Sequence, residues 1–72
     1  MIIGSIYSPV KGASIPLCMY PSFKLIKHIH DKDIVIAIDN INHPHILTKI
    51  LCADGEVGWI YYYCNYWVEV QK

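Results

Sequence analysis

GEVGWIYYYCNYWVEV, residues 55–70, decides the fold. Gly55 belongs to a turn with Ala53 and Asp54, Val57 to Tyr61 is a β-prone run carrying Trp59 and Ile60, and Val68 to Val70 is a second such run. Between them, Tyr61 to Asn65 breaks the alternation of a strand, which predicts one 3₁₀ turn before a last strand. Working outward, Ile46 to Cys52 alternates Ile46, Thr48, Ile50 and Cys52 against Leu47, Lys49 and Leu51. That alternation predicts a strand which the Ala53-Asp54-Gly55 turn folds back onto Val57–Tyr61 as a hairpin.

Further upstream, Ile34 to Ile38 is an unbroken run rich in β-branched residues, too short for a typical helix, and predicts a central strand with both faces covered. Asp31-Lys32-Asp33 before it and Asp39 to Pro44 after it read as turns. Phe23 to His30 sets Phe23, Leu25 and Ile29 on one face and Lys24, Ile26, His28 and His30 on the other, with Lys27 out of step, which predicts an irregular strand or a structured loop. Ser14 to Tyr20 contains Pro16, whose missing N–H predicts an edge strand or a late start. Met1 to Tyr7 is a short β-prone run closed by Ser8-Pro9, and Gly12 opens a loop. No helical period is present. The expectation is an all-β protein, one domain over residues 1–72, built as a small barrel of five or six short antiparallel strands.

Composition narrows the function classes. Residues of the AVILMFWYC set make up 54% of the 72 residues, more than a barrel interior of this size can hide, so part of the apolar surface is expected to be an interface. The basic residues are six Lys and no Arg against six Asp and Glu, for a net charge of zero. That balance argues against a nucleic-acid partner, which calls for a basic face. Cys18, Cys52 and Cys64 are odd in number and form no CxxC pair, so neither a disulfide framework nor a zinc knuckle is expected, and free thiols suit a reducing, cytoplasmic setting. No signal peptide and no membrane span are expected, because the N-terminus lacks a basic region and no apolar run reaches about 18 residues. Thirteen Ile with abundant Lys and Tyr and no Arg is the usage of an AT-rich genome.

The order of these parts resembles an SH3 domain of the bacterial type. The pieces that carry the resemblance are LCMYPS at 17–22, DKDIVIAI at 31–38, TKIL at 48–51, GEVGWI at 55–60 and NYWVEV at 65–70, spanning Ser14 to Val70. The likeness implies an SH3-like barrel with a 3₁₀ turn before the last strand, acting as a non-catalytic interaction or assembly module on a protein partner or on a second copy of itself. A free-standing chain of this kind also resembles a small bacteriophage product, a structural or host-directed protein of the host cytoplasm or the virion. The alternative that the family implies is a peptidoglycan- or glycan-binding module. The sequence departs from peptide-binding SH3 domains in two places: GSIYS at 4–8 stands where an ALYDY-like strand belongs, and no tryptophan opens the strand near His45-Ile46. Polyproline recognition needs that aromatic lining.

Trp59, Tyr61, Tyr62, Tyr63, Tyr66 and Trp67 form the candidate partner-binding cluster. With Ile60 pointing inward, strand alternation sends Val57, Trp59 and Tyr61 outward, and large aromatics are enriched at interface hot spots. At least two of the six are expected to face a partner, the others plugging the barrel ends. His28 and His30, and His43 and His45, have an i, i+2 spacing that puts both imidazoles on one side of a strand, but no Cys or carboxylate supports them at short spacing, so no metal or other cofactor is expected. Cys64 has no neighbouring base, and no HExxH, GxSxG or phosphate-cradling glycine loop occurs, so no enzyme is expected.

Overall fold

A computed structural model describes residues 1–42, 46–62 and 64–71, with Cys64 and Gln71 described through their backbone alone. The β-branched and aromatic runs become seven strands: β1 (Ile6–Pro9), β2 (Ser14–Cys18), β3 (Leu25–His30), β4 (Val35–Ile41), β5 (Leu47–Cys52), β6 (Val57–Tyr61) and β7 (Trp67–Gln71). The expected 3₁₀ turn is present at Cys64–Tyr66, directly before β7. The strands pair antiparallel in one sheet of order β3-β2-β6-β5-β4-β1-β7. Seven strands replace the expected five or six, because the irregular stretch before His30 is a full strand rather than a loop.

A flat sheet of seven strands at about 4.8 Å spacing would hold its first and last members about 29 Å apart. Here one buried cluster takes Ile29 from β3 and Trp67 from β7, with Tyr7, Leu17, Val35, Ile50 and Ile60 from the five strands between them. The sheet therefore curls around its own side chains, within extents of 28 × 23 × 22 Å. Two polar groups at the core are satisfied by nearby partners. The Ile2 N–H donates to the Tyr7 hydroxyl at 2.9 Å, and the buried Thr48 hydroxyl donates to Asn40 Oδ1 at 2.8 Å.

The β5–β6 hairpin forms as the sequence suggests. Gly55 takes φ +92°, a conformation that disfavours a Cβ, and its N–H donates to the Cys52 carbonyl at 3.0 Å while the Cys52 N–H donates to Glu56 O at 2.8 Å. Three local expectations are corrected. Only one face of Ile34–Ile38 is covered: Val35 and Ala37 are buried, but Ile34 and Ile38 are exposed, because β1 and β5 flank β4 edge to edge and no layer packs on its outer side among the described residues. Leu25 is exposed while Ile26 packs on the core, because the register shift between Leu17 and Cys18 swaps the parity of β3 at that point. β2 is interior in sheet order, yet its pairing with β6 stops after Cys18↔Trp59, so Pro16 keeps an edge-like side.

Candidate functional site

The site begins at that interrupted pairing. Continuing the Cys18↔Trp59 register would put Pro16 across from Tyr61. Proline has no N–H to donate, the ladder ends, and the two strands part. Where they part, an open groove of about 440 Å³ is lined by Gly12, Ala13, Ser14, Ile15, Pro16, Tyr61 and Tyr66. Tyr61 reaches it from the outward side of β6 and Tyr66 from the end of the 3₁₀ turn, which the Val10 N–H anchors by donating to the Tyr66 carbonyl at 2.9 Å.

An aromatic row continues from the groove. The Tyr61 ring stacks on Phe23 at 6.1 Å between centroids with an 8° interplanar angle. Phe23 meets Tyr20 edge to face at 5.6 Å, and Tyr20 meets Trp59 at 5.6 Å. These distances lie in the range where aromatic pairs attract each other beyond their area burial. The loop that presents Tyr20 and Phe23 is tied across its neck: Met19 N–H donates to Lys24 O at 2.8 Å and Phe23 N–H to Met19 O at 2.9 Å. Phe23 itself takes φ +60°, a left-handed conformation that is unfavourable for a bulky L-residue. At the far end of the row, Lys49 Nζ stands 5.9 Å from the centre of the Trp59 ring, within cation–π range.

The six sequence candidates divide. Tyr61, 40% exposed, and Tyr66, 47% exposed, line the groove, and half-buried Trp59 closes the row. Tyr62 turns the other way, packs on the core and meets Tyr7 edge to face at 6.4 Å. Trp67 does not belong to the surface: it is 6% exposed and part of the core, because its pairing with buried Pro9 fixes it on the inner face of β7. Its indole N–H is buried and meets no acceptor among the described residues. Tyr63 lies outside the described residues, as do His43 and His45 and the side chain of Cys64. His28 and His30 are exposed on β3 on either side of buried Ile29. Among the described residues no three His, Cys, Asp or Glu side chains gather into a group fit to hold a metal ion.

Tyr20, Phe23 and the Gly12–Pro16 wall are not among the candidates that the sequence singles out. The available signal was Tyr20-Pro21 between two strands, but placing it beside Trp59 requires the β2–β6 pairing, made by residues far apart in the chain. At the groove's Gly12 end, the Gly12 N–H donates to Asp31 Oδ2 at 3.1 Å. The strongest polar pair is elsewhere, where Lys27 Nζ and Asp54 Oδ2 lie 2.7 Å apart. That hydrogen bond, aided by the Glu56 N–H, holds the Asp54 carboxyl below its ordinary range and raises the Lys27 ammonium. Burial pushes the Cys52 thiol up, which keeps it protonated and a poor nucleophile. An open apolar groove bounded by tyrosines is thus suited to holding an extended apolar segment.

No protein-family model, no curated protein and no solved structure matches this chain. No helix among the described residues is long and apolar enough to cross a membrane.

Proposed function

We propose that this chain is a non-catalytic interaction module of the SH3-like kind, which takes an extended apolar segment of a protein partner into the groove between Gly12–Pro16 and the Tyr61 and Tyr66 rings. The observation that carries this reading is the parting of β2 and β6 at Pro16, which leaves a groove with tyrosine walls continuous with the Phe23–Tyr20–Trp59 row. Its volume of about 440 Å³ suits one or two side chains of a ligand. Tyrosine and tryptophan supply large rigid contact area at low entropic cost, which is why they dominate hot spots. The SH3-like assignment is supported by the curled antiparallel sheet, the 3₁₀ turn before β7 and the turn at Gly55 that opens β6.

The test is a selection of displayed random peptides on the immobilised protein. The reading expects enriched peptides whose binding falls at least tenfold with Tyr61→Ala or Tyr66→Ala while the melting temperature is kept. An absence of enrichment, or binding indifferent to both substitutions, overturns it. Co-sedimentation with purified peptidoglycan, lost in the same two variants, would move the reading to the glycan-binding alternative.

A further inference from the structure

The strand registers reveal a second surface, separate from the groove. On the outward side of the sheet, Val57 stands across from Leu51, Leu51 across from Ile36, and Ile36 across from Ile6. Four aliphatic side chains thus cross β6, β5, β4 and β1 in one row; Ile6, Ile36 and Leu51 each stand between two buried residues of the chain, and Val57 opens β6 directly before buried Gly58. Val68, across from Ser8 on β7, extends the same outer face to the sheet's end. A shallow slot of about 270 Å³ opens within it, lined by Ile6, Ile34, Ile36 and Leu51 with Cys52 and Ala53. Trp59, the end of the aromatic row, pairs with Lys49 and Lys49 with Asp39, and this line across β6, β5 and β4 lies between the aliphatic row and the groove.

The two edges of the sheet are treated differently. β3 carries Lys27, His28 and His30 and a register shift, devices that discourage a further strand from joining. β7 carries half-exposed Val68 and Val70 with Glu69 as its one charge, and among the described residues only β1 pairs with it.

We propose that this aliphatic outer face, with the β7 edge beside it, is an interface between two copies of this chain. Three observations favour a second copy as the occupant. The row holds no charged or hydrogen-bonding side chain with which to select a foreign partner, and faces of that composition are the mark of permanently paired, homodimeric interfaces. A net charge of zero leaves no overall repulsion between copies. Size agrees as well. Ile34, Ile38, Val57, Val68 and Val70 are each 37% to 52% exposed. With Ile6, Ile36 and Leu51 they expose roughly 500 Å² of apolar surface, at the upper end for the largest patch of a monomer. Two such patches with their rims reach the ~1,200 Å² at which specific interfaces begin.

The experiment is the solution mass of the full chain by light scattering from micromolar to millimolar concentration, for the wild type, for Val57→Lys with Val68→Lys, and for Tyr61→Ala. The wild type should weigh twice the monomer, with a melting temperature that rises with concentration. The double lysine variant, changed only at exposed positions, should weigh one monomer and keep the far-ultraviolet spectrum of the wild type, and Tyr61→Ala should stay dimeric. A wild type that is monomeric at millimolar concentration with a concentration-independent melting temperature overturns the proposal, whether or not the lysine variant folds. So does a dimer that survives both lysines or dissolves with Tyr61→Ala alone. A monomeric wild type that still binds selected peptides through Tyr61 overturns the dimer and leaves the groove standing.

Discussion

The inner face of the β5–β6 hairpin carries Thr48, Ile50, Cys52, Gly58 and Ile60, all buried, whereas its outer face carries Lys49, Leu51, Val57, Trp59 and Tyr61, all at least partly exposed, with Leu47, across from Tyr61, as the one buried exception. Alternate residues of the same two strands therefore answer to different demands. The inward set must fit a closed volume with no space to spare: a Cβ added at Gly58 would stand 2.7 Å from Leu17 Cγ and Cδ1, side-chain atoms of a residue that is itself fully buried. The outward set meets no such limit and holds chemistry that a core does not need, a lysine over a tryptophan and a tyrosine wall. Substitutions should sort by parity, the inward ones costing stability and the outward ones costing association.

The largest expected effect is at Trp67, the candidate that the fold moves from surface to core. Trp67→Ala should cost about 3 to 5 kcal/mol of unfolding free energy in urea. Trp67→Phe should cost much less, since it keeps most of the ring volume and removes an indole N–H that meets no acceptor among the described residues. A Trp67→Ala chain as stable as the wild type would return that residue to the surface. Next comes Gly58→Ala, where the new methyl must displace Leu17 and Ile26, at about 1 to 3 kcal/mol in the same assay.

Tyr61→Ala, on the outer face of the same hairpin, should change stability by only about 0.5 kcal/mol while abolishing peptide capture. A large stability loss there would erase the distinction between the faces.

The smallest effect belongs to Lys27 and Asp54, both at the surface. Asp54 titrates below its ordinary value of 3.8, so its contribution is present above that value and is lost as pH falls through the depressed one. Lys27 titrates above its ordinary 10.5, so its contribution is present below 10.5 and is lost as pH rises through the raised value. Lys27→Met should accordingly lower the melting temperature slightly near neutral pH, less so in high salt, and the difference should vanish at both extremes of pH. A difference that grows at acid pH would contradict the assignment.

What was legible in the sequence follows from how local each signal is. The Asp54-Gly55 turn, the β5–β6 hairpin and the 3₁₀ turn depend on neighbours a few residues apart, and the structure has all three. The outward direction of Val57, Trp59 and Tyr61 follows from a period of two anchored on one buried residue, Ile60. Parity failed where the period slips: the shift in the β2–β3 register exchanges Leu25 and Ile26, and no composition signal announces it. Trp67 was misplaced for a related reason, since its facing is set by the partner residue Pro9 rather than by the aromatic run it follows. Half of the site was hidden at the next level up. Tyr61 and Tyr66 stand out by residue type, but the wall opposite them, Gly12–Pro16, becomes a wall only through β2 pairing with β6 and stopping at Pro16. The aliphatic row of Ile6, Ile36, Leu51 and Val57 is likewise a product of register, assembled from four strands whose pairing, beyond the β5–β6 hairpin, the sequence does not announce.

The central claim is that recognition resides in the groove between β2 and β6. Its most direct test is a map of amide chemical-shift changes when the tightest display-selected peptide is added to the ¹⁵N-labelled chain. The account predicts changes concentrated at Gly12 to Ile15, Tyr61 and Tyr66, fading along Phe23 and Tyr20. Changes centred instead on Ile6, Ile36, Leu51 and Val57, or on the Lys27–Asp54 corner, would contradict it.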